Sequence, residues 1–326
     1  MKALTYREYG GPDVVTLTEV PKPVPGPNAV LVRIMATTVS SGDWRARSLN
    51  MPVGFGLLGR LVFGLTGPRQ PILGTELTGI VNAVGSKVTR FKPGDEVVAF
   101  PGRRFGSHAE FRTMPEDGMV AHKPHNLTFE EAASLSFGST TALPFLRDKA
   151  KVKRGDQLLV VGASGAVGTA AVQIAKHFGA EVTAVTSTGN VDLVRSIGAD
   201  KVIDYTQADF ADTGGTWDII LDTTGTAPFR RCAKSLNPGG RLVIVNGTFA
   251  QALGIGRPSK ASGKQVITGT APANPEDLRY IMKLASSGEL KSVIDRIYRI
   301  EDAVGAHAYV DTGRKRGSVV LRVTTN

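Results

Sequence analysis

Residues 158–168 read Leu158-Leu159-Val160-Val161-Gly162-Ala163-Ser164-Gly165-Ala166-Val167-Gly168, and the reading of the fold turns on them. Four apolar residues run into a glycine, and helical spacing then holds from Val167 to Phe178, where Gly179 stops it. A strand that turns on glycines into a helix is a unit suited to a dinucleotide. Gly162 permits the tight turn. Gly165 lets backbone approach a phosphate with no Cβ in the way, and Gly168 allows the helix to pack closely on the strand. The helix N-terminus offers free N–H groups and the positive end of its dipole to a pyrophosphate. Gly162, Ala163, Ser164, Gly165, Ala166 and Val167 are therefore the first cofactor-binding candidates. Glycine triplets are common in turns, and this one gains weight from its place in a strand-turn-helix-strand unit.

The same alternation continues downstream. Strands are predicted at Glu181–Thr186, Lys201–Tyr205, Trp217–Asp222, Arg241–Val245 and Gln265–Gly269. A helix is expected over Val191–Ile197 before Gly198, and another over Phe229–Leu236 before Asn237-Pro238-Gly239-Gly240. This pattern predicts an α/β unit, a doubly wound parallel sheet with helices on both faces. Upstream, residues 1–120 read as short alternating strands at Val14–Glu19, Ala29–Ala36, Thr78–Val84 and Glu96–Ala99. Turns at Val24-Pro25-Gly26-Pro27 and Lys92-Pro93-Gly94-Asp95 punctuate them, with no long helical pattern. A barrel-like all-β unit is expected there. The tail carries a helix, Pro275–Ser286, and a closing strand, Ser318–Val323. The period switches divide the chain into residues 1–122 with 272–326, and a nucleotide-binding unit over 123–271.

Composition narrows the class. Of 326 residues, 41% are hydrophobic and 21% charged, which disfavours disorder and coiled coil. A single cysteine excludes a disulfide scaffold and a Cys-rich zinc module, and fits a reducing cytosol. The net charge of +10 is spread along the chain, with one dense run at Arg314-Lys315-Arg316. Nucleic-acid binders concentrate charge on one arm or helix, so no nucleic-acid partner is expected; a basic surface also attracts an anionic cofactor. The opening MKALTYREYG has no apolar core of the signal-peptide kind. The most apolar stretch, Met51–Gly67, is interrupted by Arg60 and five glycines. A soluble cytoplasmic protein without a membrane partner is the expectation.

Cofactor type is read after the second strand of the nucleotide unit. An NAD site usually places an acid there for the ribose 2′-hydroxyl. Here Val182–Val191 reads VTAVTSTGNV, without an acid. Ser187, Thr188 and Asn190 can donate to a 2′-phosphate, which favours NADP(H). The same residues also fit plain turn roles, and Asn190 also fits a cap on the helix that follows.

One more frame lies upstream: Gly74-Thr75-Glu76-Leu77-Thr78-Gly79, then Gly85 and Val88, or G-x-E-x-x-G-x5-G-x2-V. With the fingerprint at Gly162, GDEV at Gly94, VRSIGADKVIDY and the closing RGSVVLRV, the chain resembles the medium-chain dehydrogenase/reductase superfamily. The match is closest to its zinc-free, quinone oxidoreductase-like branch and spans nearly the whole chain. The resemblance implies a GroES-like β-barrel catalytic domain beside a Rossmann-type doubly wound sheet. It also implies homodimers paired through edge strands.

Zinc-dependent members have His where this chain has Thr75, and Cys in the segment held by Ser40-Ser41-Gly42-Asp43. No metal held by nitrogen and sulfur ligands is therefore expected. The lone Cys232 falls in phase with Phe229 and Leu236, a packing position. His108 is expected to be structural. By resemblance, Thr141 sits near the nicotinamide and Tyr205 near the adenosine 2′-phosphate, while Thr223, Val245 and Gly247 border the cofactor. Asp43-Trp44-Arg45 resembles the family's asparagine-x-x-Asp-Trp pattern, with Ser40 for the asparagine and Arg45 where some quinone reductases have tyrosine.

Without a metal to polarise a ketone, the expected acceptor is a quinone or an activated C=C bond, an apolar electrophile. Ser40, Asp43 and Arg45 form the candidate catalytic set, with Arg45 or Ser40 stabilising the developing oxygen anion. Met51–Gly67 and Ala250–Gly263 are expected to wall an apolar pocket. A zinc-type alcohol dehydrogenase and a non-catalytic NADPH-binding module are the alternatives.

Overall fold

A computed structural model describes residues 1–252, 262–270, 272 and 274–323. The chain opens with an antiparallel pair, β1 (Lys2–Thr5) and β2 (Thr16–Glu19). β3 (Ala29–Val39) is long and almost wholly buried. Two helices follow, α1 (Ser41–Ser48) and α2 (Gly56–Phe63), then strands β4 (Leu77–Val84), β5 (Glu96–Ala99), β6 (Phe111–Pro115) and β7 (Val120–His122). The helices correct the all-β reading of this region. α1 is short and polar and therefore carries no hydrophobic period. Its start is fixed by a capping box, in which the Ser40 hydroxyl accepts from Asp43 N while the Asp43 carboxylate accepts from Ser40 N.

α3 (Phe129–Pro144) begins at a second capping box, Thr128 with Glu131, and is buried on most of its surface. It packs against β3 on one side and against α4 (Ala166–His177) on the other, so one helix joins the two sheets. The parallel sheet follows, with β8 (Gln157–Val161), β9 (Glu181–Thr186), α5 (Val191–Ser196), β10 (Lys201–Asp204), β11 (Trp217–Asp222) and α6 (Phe229–Cys232). It ends with β12 (Leu236–Ile244), α7 (Phe249–Ala252) and β13 (Gln265–Ile267). The strand order is β10-β9-β8-β11-β12-β13, all parallel. The order reverses beside β8, and at such a switch point a crevice opens at the carboxyl ends of the strands. α6 is shorter than the helix expected over Phe229–Leu236. Leu236 already belongs to β12, and Asn237-Pro238-Gly239-Gly240 lies inside that strand. Cys232 is fully buried in an apolar cluster with Phe229 and Leu236 packed beside it.

After α8 (Pro275–Ser286), β14 (Ile294–Arg299) and α9 (Ala303–Asp311), the chain ends on β15 (Ser318–Arg322). β15 pairs with β14 in parallel and with β3 in antiparallel, and so returns to the first sheet. The first sheet runs β14-β15-β3-β4-β5-β7, with β6 on β3. The largest apolar cluster spans α3, α4, α8 and the inner face of the parallel sheet. Among the described residues no helix is long and apolar enough to cross a membrane.

Candidate functional site

The crevice at the switch point is a cleft of about 680 Å³. One wall is the glycine turn and the first turn of α4: Gly162, Ser164, Gly165, Ala166, Val167 and Gly168. Gly162 has φ 80°, and a Cβ there would lie 2.7 Å from Thr223 Oγ1. A Cβ on Gly168 would fall 2.1 Å from Gly162 O, so this close seating of helix on strand requires glycine. A Cβ on Gly165 would meet nothing nearer than 3.9 Å, which leaves that backbone open to the cleft. Thr223 donates its hydroxyl to Val161 O at 2.9 Å and so ties the end of β8 to β11.

The second wall is the turn after β9, where Thr186, Ser187, Gly189 and Asn190 line the cleft with Tyr205 beside them. Asn190 makes no side-chain cap on α5. Its amide donates to Ser187 Oγ at 3.0 Å and Ser164 Oγ at 3.3 Å, which binds the two walls together. Asn190 Oδ1 is buried without a partner, an acceptor waiting for a donor that the chain does not supply. Thr188 turns away from the cleft and donates to Asp204 Oδ2 at 2.6 Å.

The third wall comes from the other end of the chain. Gly313, Arg314, Lys315 and Arg316 also line the cleft. Gly317 N donates to Ser164 O at 2.7 Å, and Gly317 bridges to Gly165. A Cβ on Gly189 would stand 3.6 Å from Arg316 Nη2, so this guanidinium hangs beside the acid-free turn. The cation that Thr186–Asn190 lacks is thus delivered from the loop before β15. The sequence signal was the dense basic run, legible as charge but not as a wall of this cleft. Burial pulls the Lys315 ammonium down to about 8, opposed by the nearby Glu76 and Asp295.

The cleft floor is Ser41, Trp44 and Phe137. Phe137 is held by Glu76, a fully buried carboxyl that accepts from Phe137 N and from the Thr38 hydroxyl. Burial pushes Glu76 from 4.5 up to about 8, against the pull of those two hydrogen bonds. Ser40 and Thr75 meet at 3.2 Å behind this floor. Ser40 donates to Asp43 Oδ2 at 2.6 Å, so in the Ser40–Thr75 contact the Thr75 hydroxyl is the donor.

Several sequence expectations are corrected here. Ser40 and Asp43 do not line the cleft. Asp43 is fully buried, and its second oxygen accepts from Gly74 N at 2.7 Å, so it fixes the Gly74 turn onto α1. Arg45 is absent from the cleft wall as well, because the face of α1 turned inward shows Ser41 and Trp44. Its guanidinium sits 5.9 Å from the Trp44 ring, and desolvation lowers its pKa. Thr141, Ala163, Thr188, Val245 and Gly247 are likewise off the wall. The Thr141 hydroxyl donates to Phe137 O at 2.8 Å, and Ala163 spends its N–H on Val185 O at 3.1 Å. None of residues 51–67 lines the cleft. The other expected pocket segment, Ala250–Gly263, lies for the most part outside the described residues. Sequence reading missed Ser41, Trp44, Phe137, Thr224 and the 313–316 loop, which converge from four separate places in the chain.

The residues fit a phosphorylated dinucleotide: an open glycine turn at a helix N-terminus, an orphaned acceptor at Asn190, and cations along the cleft wall. At the positions where zinc-dependent members carry ligands stand two hydroxyls, Ser40 and Thr75. Among the described residues no three His, Cys, Asp or Glu side chains gather as a metal would require. His108 and His307 are brought together, with ring centroids 5.7 Å apart, although spacing along the chain gave no sign of it. Both are fully buried, and His108 Nε2 is spent on Thr38 O at 2.9 Å.

Fold and cleft together define a two-domain, dinucleotide-dependent oxidoreductase. Residues 26–125 match the alcohol dehydrogenase GroES-like domain, and residues 197–321 match a zinc-binding dehydrogenase domain. The chain is 34% identical to a 2-methylene-furan-3-one reductase of Solanum lycopersicum, over 98% of this chain and 79% of that one. It is 30% identical to a chloroplastic NADPH-dependent alkenal/one oxidoreductase of Arabidopsis thaliana, over the same 98% and 79%. The solved structure of a quinone oxidoreductase from Coxiella burnetii superposes with a TM-score of 0.87 at 28% identity, covering 99% of both chains. The chain belongs to the medium-chain dehydrogenase/reductase superfamily, in its quinone oxidoreductase-like branch.

Proposed function

We propose that this protein is an NADPH-dependent, zinc-independent reductase that passes hydride to a quinone or to the electrophilic carbon of an enone or enal. The carrying observation is the placement of Arg316 beside Gly189, in a cleft whose turn after β9, residues 186–190, contributes no acid. Two relatives named for a furanone and for alkenals and enones support the acceptor class.

When bound, NADPH supplies the hydride. The chain's own part is positional and electrostatic. Gly162–Gly168 and the N-terminus of α4 would hold the pyrophosphate, Arg316 and Ser187 would serve the 2′-phosphate, and Asn190 Oδ1 would accept from a cofactor hydroxyl. Trp44 and Phe137 present apolar faces that exclude water from the floor and orient a flat acceptor. Ser41, which lines the same cleft, would donate its hydroxyl to the acceptor's oxygen. Ser40 and Thr75 form a locked hydroxyl chain ending on Asp43, and they take the place of metal ligands. We further propose a homodimer paired through the edge strand β13.

The test is NADPH oxidation by purified protein with a quinone and with an α,β-unsaturated ketone, with and without a strong chelator. Acceptor-dependent oxidation that survives chelation is expected. NADPH binding with no turnover on either acceptor would leave a binding module, and activity lost to chelator and restored by zinc would leave a metal enzyme.

A further inference from the structure

α2 faces the wrong way for a helix of a free-standing protein. Its inward side is Gly59, against Met51, and Phe63, whose ring packs 6.1 Å from Phe105. Its outward side is apolar: Leu57, Leu58, Leu61 and Val62 are exposed, continued by Val53 before the helix and Leu65 after it. Val53 is 80% exposed and Leu57 73% exposed, values unusual for branched aliphatic side chains. A contiguous apolar patch of this kind marks a surface that meets something. The cleft makes no use of it, since no residue of 51–67 lines the cleft.

The rim says what it meets. Between Asp43 and Glu76 the sequence contains no acid, while Arg60 and Arg69 stand exposed within that stretch. Both lie near enough to Tyr9 to act on its hydroxyl, which donates to Gly64 O and Gly67 O at the end of α2. Arg103 and Arg104, also exposed, directly precede Phe105 and so flank the other side of the same contact. Exposed leucines flanked by arginines, in a stretch that itself carries no acid, on a chain of net charge +10, match the chemistry of an anionic bilayer surface. Arginine stems lie along an acyl boundary while their heads reach phosphates.

We propose that α2 and its flanks form an interfacial anchor, with Val53, Leu57, Leu58, Leu61, Val62 and Leu65 entering the headgroup–acyl boundary of an anionic membrane. The arginine rim binds its lipid phosphates. The absence of a spanning helix does not bear on this, because a surface helix needs only one apolar face. The proposal is independent of the acceptor class.

Flotation of the full chain with vesicles tests it, using phosphatidylcholine alone and phosphatidylcholine mixed with phosphatidylglycerol. Binding to the mixed vesicles is expected, weakened by salt and absent on phosphatidylcholine alone. The double variant Leu57→Glu, Leu61→Glu should lose vesicle binding by about tenfold or more, and Arg60→Glu, Arg69→Glu by about tenfold. Both should keep the wild-type thermal transition and particle mass, since all four side chains are exposed. No flotation of the wild type, equal flotation of the leucine variant, or indifference to anionic lipid would each overturn the anchor. So would a fall in particle mass in the leucine variant, which would make the face a contact between copies of this chain.

Discussion

At the scale of single residues, the proposed 2′-phosphate seat draws on one cation and one hydroxyl from distant parts of the sequence. Arg316 reaches Gly189 from the loop before β15, and Ser187 lines the cleft in the turn after β9. A charged hydrogen bond to a phosphate contributes roughly 1.5–3 kcal/mol, so Arg316→Ala should weaken NADPH about 10- to 100-fold. NADH, which lacks the phosphate, should bind the variant nearly as it binds the wild type. Ser187→Asp places a carboxylate against the same phosphate and should move preference toward NADH by a similar factor. Fluorescence titration of both cofactors checks this, and an equal loss for NADH in Arg316→Ala would relocate the arginine's role.

A second residue, Glu76, yields a pH dependence whose sign can be worked out. Burial raises its pKa from 4.5 to about 8, so between those values the folded protein holds a proton that the unfolded chain releases. Its contribution to stability is complete below about pH 4.5 and is lost as pH rises through 8. Lys315, whose pKa falls from 10.5 to about 8, acts only above that window. Thermal unfolding of Glu76→Gln should therefore be flatter than that of the wild type between pH 5 and pH 8, and parallel profiles would show that Glu76 is ionised in the fold.

At the scale of elements, the seat of α4 on β8 tolerates no side chain at Gly168. Gly168→Ala sets a methyl 2.1 Å from Gly162 O, and backbone cannot yield as a flexible side chain does. A loss on the order of 2–4 kcal/mol is expected, with cofactor binding abolished, measured by denaturant unfolding and titration. This element was legible because its glycines carry backbone requirements that no other residue meets. β9, β10 and β11 were legible because apolar strands bounded by glycine announce themselves. α3 was not, for a physical reason. It is buried on nearly every face between two sheets, so its sequence FEEAASLSFGSTTALP shows no amphipathic stripe. Its true signature was the capping box Thr128-x-x-Glu131, as Ser40-x-x-Asp43 was for α1. Reading Asp43 as a cap would also have withdrawn it from the catalytic set. Arg45 was unreadable by motif alone, because only the rotation of α1 decides which side chains face the cleft.

At the scale of the whole molecule, the proposed cofactor seat draws on both sheets at once through the loop 313–317. That loop leaves the first sheet through β15, hydrogen-bonds the glycine turn of the second through Gly317 N and Ser164 O, and carries Arg316 across to the turn after β9. A ligand seated between these walls adds contacts to each, and anything that binds the folded chain alone stabilises it by mass action. At a free concentration of one hundred times its Kd, NADPH should contribute about 2.7 kcal/mol. For a chain of this size that raises the unfolding midpoint by roughly 4 °C, and a ligand that bridges the two sheets should move the transition as a single unit. Arg316→Ala should need 10- to 100-fold more NADPH to reach the same rise, while NADH curves for variant and wild type superimpose. Differential scanning calorimetry against cofactor concentration measures all four curves. A transition that splits on saturation, with only one part moving, would mean that NADPH rests on the parallel sheet alone and that the loop from β15 does not close upon it.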